Sequence, residues 1–391
     1  MPKPINEVTR TIQSEQVLNA FIQVIRPNLP LDLKRTRITA EDILYGLAYA
    51  GVHRLSIASA CQELQEAPSG NRLREVQVEA LPDRVGVQRA LNRIFRQQLH
   101  PSLLKGRLDY NIAIDLTLIP YHGEPYEDEK EIVRGEPKSG TTHFHAYATV
   151  SIVHDHRRYV VALHFITYGE TMAEVVRWLL KRLKMLKIRI RRAFLDKGFC
   201  AEPVFKVLER CHLSHMVPIP VRGRSGGVRT LFQGKSRKTT YTFHSPKYGA
   251  YTVQAVVVKR YTQGRYGRHG SKWFAYAVSG LPAGITPAQV FEMYRQRFGI
   301  ESSYRQMNQV RARTSTRNPV VRLLLVGLAF VLFNLYISLR QSLTSALKIT
   351  VESPQRFWLS LRRLASLLGR AIERIWGIAA VLQHQPCFVL S

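Results

Sequence analysis

Three acidic residues stand out as candidates for joint chemistry: Asp115, Asp196 and Glu301. The chain around them is strongly basic, with 57 Lys and Arg against 28 Asp and Glu, so a carboxylate in an apolar strand needs a reason. Hard oxygen donors of this kind suit Mg²⁺ or Mn²⁺. Two such ions roughly 4 Å apart can activate a water or a 3′-hydroxyl and stabilise the leaving oxygen of an in-line phosphoryl displacement. Taken singly, each acid also has a plainer reading. Asp115 could be a hydrogen-bonded strand residue, Asp196 a turn acid before glycine, and Glu301 an ion-pair partner of Arg297.

The elements that must position these acids are legible. Tyr110 to Leu118 alternates, with Tyr110, Ile112, Ile114, Leu116 and Leu118 on one side and Asn111, Ala113, Asp115 and Thr117 on the other. Asp115 therefore sits in a strand that otherwise reads as buried, where an isolated carboxylate is costly unless it is hydrogen-bonded or metal-bound. Arg189 to Leu195 predicts a further strand that ends on Asp196. Thr286, Pro287 and Gln289 form an N-cap, a first-turn proline and a capping-box partner, which predicts the start of a helix. Along that helix Val290, Tyr294, Arg297, Glu301, Tyr304 and Asn308 recur at steps of four and three, on one stripe. A stripe mixing apolar, phenolic, guanidinium and carboxylate groups is not simple packing.

Further strands are predicted over His145 to Val153, Arg158 to Thr167 and His215 to Pro218, with helices over Thr171 to Leu186 and Glu202 to Cys211. Strand, strand, strand, helix, strand, helix, strand describes a mixed α/β sheet with flanking helices, in which chemistry gathers beyond strand ends. Val217 to Gly280 contains no Asp or Glu, and its short alternating runs between glycine-rich turns read as a basic β-stranded insertion. Basic residues such as Arg237 and Lys238 beside Tyr241, Tyr251, Tyr261 and Trp273 suit phosphate contact and base stacking, or the insertion's own core. Before residue 105 the pattern is helical. Leu55 to Leu64 and Asn71 to Val78 fit either a helix-turn-helix or any small bundle.

A formal charge of +29 points to a polyanion, most simply nucleic acid, with an anionic membrane surface as the other candidate. Val320 to Ile337 is apolar enough to raise a membrane span, but Arg322 and Asn334 lie inside it and a buried central helix is the better reading. MPKPINEVTRTIQSEQ lacks the apolar core of a signal peptide. Four scattered cysteines without a CxxC pair form no disulfide framework and imply a reducing, cytoplasmic setting. His143, His145, His154, His156 and His164 are explained by strand alternation, and Cys200, Cys211, His212 and His215 lack a standard zinc spacing.

Ile114-Asp115-Leu116-Thr117, then Asp196-Lys197-Gly198-Phe199, then Tyr294, Arg297 and Glu301 in Y-(2)-R-(3)-E spacing resemble a bacterial insertion-sequence transposase of the RNase H-like DDE class, specifically insertion-sequence family four. The final lysine of that signature falls at Asn308, and Arg305, Arg311 or Arg313 would replace its phosphate contact. The resemblance implies an RNase H-like mixed sheet with a β-stranded insertion and a helical N-terminal DNA-binding region. The resemblance covers about Tyr110 to Leu339; with the residue patterns outside it, the chain is expected to divide into a helical N-terminal DNA-binding region 1–107, a first core part 108–216, an insertion 217–280, a second core part 281–347 and a basic helical region 348–391. The resemblance implies that Asp115, Asp196 and Glu301 bind two Mg²⁺ ions, for which Mn²⁺ can substitute, and that Tyr294 and Arg297 contact DNA, with Arg305, Asn308 and Arg311 around the signature's last position; Arg237 and Lys238 are expected DNA contacts from the basic character of the insertion. The partners implied are double-stranded DNA, as terminal inverted repeats and target, and a second copy in a synaptic homodimer at the bacterial nucleoid. The reaction implied is end cleavage followed by strand transfer. A catalytically silent or domesticated DNA-binding protein and a stand-alone nuclease on the same fold stay open beside it.

Overall fold

The structure is a computed structural model that describes residues 12–34, 36–104, 108–154, 157–246, 249–263, 269–346 and 359–379. In chain order the elements are α1 (Ser14–Ile25), α2 (Ala40–His53), α3 (Ile57–Gln62), α4 (Gly70–Ala80), α5 (Arg84–Gln98), α6 (Pro101–Leu104), β1 (Asp109–Pro120), β2 (Val133–Lys138), β3 (Thr141–His154) and β4 (Arg157–Ile166). They continue with α7 (Met172–Met185), β5 (Arg189–Leu195), α8 (Glu202–Arg210), β6 (His215–Pro218), β7 (Arg237–Ser245), β8 (Gly249–Gln263), β9 (His269–Ser279), α9 (Pro287–Met307), α10 (Pro319–Ala346) and α11 (Leu361–Trp376). The chain divides into two compact units, residues 99–304 and residues 1–98 with 305–391.

Residues 99–304 hold a nine-stranded sheet in the order β2-β3-β1-β5-β6-β9-β8-β7, with β4 also paired to β3. β3 runs antiparallel to both β1 and β4, while β5 lies parallel to β1 and β6 parallel to β5. This is the mixed sheet expected from the element order. β2, on the far edge of β3, was not legible because Val133–Lys138 carries glycine, proline and charge in place of strand alternation. The insertion does not stand apart. β9 pairs antiparallel with β6, from His215↔Ser279 to Pro218↔Tyr276, so β7 to β9 extend the same sheet.

Both faces of the sheet are covered, and strand parity assigns each residue its face. His215 stacks on Phe205 of α8, with ring centroids 5.9 Å apart, whereas its neighbour Met216 joins the cluster under α9. That cluster unites Ala113 of β1, Phe194 of β5, Val256 and Val258 of β8 and Tyr276 of β9 with Val290, Phe291 and Tyr294 of α9. Fully burying each of the larger side chains is worth ~1.5–3 kcal/mol, which is what pins α9 across the middle strands. Thr286 caps the helix as expected: its hydroxyl accepts from Gln289 N at 3.2 Å, and Gln289 Oε1 accepts from Thr286 N at 2.9 Å.

In residues 1–98 with 305–391, α10 packs on α5 and α11 on α1 and α2. Val320 to Ile337 thus lies in a packed helix; α10 is long and apolar enough to cross a membrane, and 83% of its most apolar stretch is buried in the fold. Gly327 allows the close approach, because a Cβ there would stand 2.2 Å from Leu91 Cδ1 of α5. Within residues 1–98 with 305–391, α10 lies beside the N-terminal helices. The connection between α3, which ends at Gln62, and α4, which begins at Gly70, has its backbone occupied. Gln65 N and Glu66 N donate to Gly377 O and Trp376 O at 3.2 and 2.7 Å, and Ala379 N donates to Glu63 O at 3.0 Å.

Candidate active site

Register and parity bring two of the three acids together. Ile114 pairs with Leu195 across the parallel β1–β5 ladder, so Asp115 and Asp196 follow at the same level of adjacent strands. Ala113 and Phe194, two residues earlier, face α9, and Asp115 and Asp196 share that face. Asp196 N donates to Ile114 O at 3.2 Å, tying the end of β5 to β1. Each carboxylate is oriented by the amide that follows it: Leu116 N reaches Asp115 Oδ1 at 2.8 Å and Lys197 N reaches Asp196 Oδ1 at 2.7 Å.

Arg297 of α9 joins them. Its Nη2 lies 3.0 Å from Asp115 Oδ1 and 3.1 Å from Asp196 Oδ1, with side-chain exposures of 4% for Arg297, 8% for Asp115 and 29% for Asp196. Nη1 of Arg297 donates to the Tyr294 hydroxyl at 2.8 Å, and that hydroxyl donates to Leu195 O at 2.9 Å. The chain of bonds runs from β5 backbone through phenol and guanidinium to both acids. Burial pushes the Asp115 carboxyl up to about 6, against the pull of Arg297 and with help from the neighbouring Asp196 charge. Burial likewise raises the Tyr294 phenol, so it stays protonated as a donor. The carboxylates and Tyr294 hold the Arg297 charge firmly, overcoming its own desolvation.

Glu301 stands one turn beyond Arg297 on α9, and its side chain lies outside the described residues, as does that of Tyr304. Among the described residues no group of three or more His, Cys, Asp or Glu is assembled to hold a metal. Asp115 and Asp196 nevertheless fit a hard divalent cation in kind: two carboxylate oxygens converge on one positively charged atom in a largely dry site. His143, His145, His154 and His164 are spread along β3 and β4, and His164 pairs with Glu170 at 2.7 Å and stacks on Trp178.

The residues expected to touch DNA fall into three settings. Tyr294 and Arg297 are buried, at 1% and 3% exposure, with the bonds given above. Arg305 lies exposed in the last turn of α9, Asn308 is exposed just after it, and Arg311 is half-buried in the extended stretch that follows. On the insertion, Lys238 is exposed, while the Arg237 guanidinium donates to the carbonyls of Gln233, Leu231 and Lys235 at 2.7, 3.0 and 3.4 Å and so closes the loop before β7. Beside them Lys259 Nζ lies over Trp273 and Tyr261, 5.2 and 5.6 Å from the ring centroids.

Sequence reading missed two supports of this site. Arg192 of β5 is buried, and its Nη1 lies 2.7 Å from Met293 Sδ of α9. Its parity with Phe194 and Asp196 was the available signal. Arg260 of β8 covers the Phe291 ring at 4.7 Å and bonds Glu292 Oε1 at 3.1 Å, a tie between insertion and α9 that no local pattern announces.

The fold is that of RNase H-like transposases. A cryo-EM structure of the piggyBac transposase synaptic complex with hairpin DNA superposes with a TM-score of 0.56 at 14% identity, over 97% of this chain and 84% of that one. The sequence family described as Transposase DDE domain matches residues 107–335, and the chain belongs to that family. No curated protein sequence matches it.

Proposed function

We propose that the protein is a cut-and-paste DNA transposase that cleaves the ends of its own element and joins them to target DNA by phosphoryl transfer. The observation that carries this reading is the meeting of Asp115 and Asp196 at adjacent strand ends under α9, in a protein of net charge +29. Asp115, Asp196 and Glu301 are the residues that would hold Mg²⁺ or Mn²⁺. When bound, the metal supplies Lewis acidity at the scissile phosphate and lowers the pKa of the attacking hydroxyl. Burial keeps water from the Asp115 carboxylate, and the amides of Leu116 and Lys197 fix the direction in which the two acids point.

Basic residues supply affinity. Lys238, Lys259, Arg305 and Arg311, with Asn308, would contact phosphates of the terminal inverted repeats and of the target duplex. A homodimer in a synaptic complex at the bacterial nucleoid is the working form in this reading, which the likeness to a DNA-bound synaptic transposase fold supports.

The test is incubation of the purified protein with Mg²⁺, labelled element-end DNA and a supercoiled plasmid, beside Glu301→Gln and Asp115→Asn. Cleavage and joining by wild type, with binding alone by both variants, is the expected result. Cleavage without joining would indicate a nuclease, and binding without cleavage in Mg²⁺ or Mn²⁺ a silent DNA-binding protein.

A further inference from the structure

Arg297 occupies an unusual place for a residue expected to meet DNA. It is buried, and one of its nitrogens bridges Oδ1 of Asp115 and Oδ1 of Asp196, the two carboxylates to which a divalent cation would be drawn. Its other terminal nitrogen is held by Tyr294, which is itself anchored on Leu195 O, so the guanidinium is braced from behind. Two carboxylates this close repel each other, and a buried pair needs a counter-charge. The bridging nitrogen supplies it. Each Oδ1 already accepts a backbone amide as well as the guanidinium, and a divalent cation drawn to the same carboxylates is repelled by the Arg297 charge beside them.

We propose that Arg297 is a positioning residue that acts as an internal counter-cation: it holds Asp115 and Asp196 together in the DNA-free protein and competes with metal for them. Duplex DNA offers the guanidinium a phosphate in exchange, a partner it can grip with two parallel bonds. Metal and DNA then assist each other's binding, because each removes part of the cost of the other. The inference rests on the assignment of Asp115 and Asp196 as metal ligands, and it adds an order to the site's assembly.

The experiment reads Mn²⁺ affinity in DNA-free protein by electron paramagnetic resonance, without turnover. Arg297→Gln, which removes the charge and keeps much of the volume, is expected to bind Mn²⁺ at least tenfold more tightly than wild type. Arg297→Lys, which keeps the charge, is expected to stay within about threefold of wild type. Equal or weaker Mn²⁺ binding in Arg297→Gln, with binding still abolished by Asp115→Asn, overturns the proposal and leaves the metal site intact. Mn²⁺ binding that ignores Asp115→Asn overturns the metal-site reading itself. A measurement on wild type alone covers the case in which Arg297→Gln does not fold. Crystals soaked in Mn²⁺ are expected to show Arg297 withdrawn from at least one aspartate, and Mn²⁺ on both aspartates with Arg297 still bridging them would overturn the proposal.

Discussion

At the ends of β1 and β5 two carboxylates share one buried guanidinium, whereas further along the same sheet, on β7 to β9, there is no acid at all between Val217 and Gly280. The first region has few charges, each fixed by two or more partners and largely removed from water. The second has many, and among the described residues none of the basic ones on β7 to β9 is fully buried: Lys238 and Lys272 are exposed, and Tyr261 is 79% exposed beside Lys259. A buried charge is costly and must be held in one geometry, while a solvated one costs little and contributes ~0–1 kcal/mol per pair. The difference separates chemistry from affinity: a dry end that fixes the reacting groups and a wet end suited to a polyanion of varied sequence.

The sharpest way to break this comparison is to remove an acid. Asp115→Asn or Asp196→Asn should lower end cleavage on the order of 10³-fold or more, as expected if several kcal/mol of metal stabilisation are lost at ~1.36 kcal/mol per tenfold. Duplex binding in a mobility-shift assay should stay within a few-fold, because it depends on the basic strands. If both properties fall together, the two regions are not separate in function.

A second effect concerns pH in metal-free protein. With the Asp115 carboxyl at about 6 in the fold, and near 4 in an unfolded chain, the native state keeps a proton that the unfolded state releases between those values. The contribution is fully present below about pH 4 and is lost as pH rises through 6, roughly 2–3 kcal/mol in all. Urea unfolding at pH 4.5 and 7 should show this difference in wild type and not in Asp115→Asn. A flat difference would mean that the site is wetter than the buried end of the comparison requires.

Tyr294→Phe removes the hydroxyl that links Leu195 O to Arg297 and leaves a buried acceptor and donor without each other. The expected cost is ~1–3 kcal/mol of stability, read by denaturant unfolding, with the aromatic packing retained. The smallest effect belongs to the wet end. Lys238→Ala should weaken duplex binding only a few-fold and reduce the slope of log affinity against log salt by ~1, with cleavage at saturating DNA unchanged.

Much of this site is legible in local sequence patterns. The Thr286 cap and the stripe from Val290 through Tyr294 and Arg297 describe a helix whose buried face is that stripe; the helix forms but ends at Met307, leaving Asn308, the last expected member of the stripe, exposed beyond it. β5 and β6 have the bounds expected of them, Arg189–Leu195 and His215–Pro218. β2 was missed because an edge strand paired on one side needs no alternation, and the connection after α3 because its partners, residues 376–379, lie some 300 positions away in sequence.

Sequence alone determined which residue types stand on which face of which element, since strand parity, helical spacing and capping act over a few residues and are written locally. It also determined the excess of positive charge and its concentration in the insertion. Only the tertiary structure decided that β1 lies in register with β5, so that Asp115 meets Asp196, that β9 zips to β6 and makes the insertion part of the sheet, and that Arg297 fills the space between the acids. Those outcomes depend on pairing and packing between segments far apart in sequence, where hydrogen-bond register and buried volume choose the partner and no local pattern carries the information.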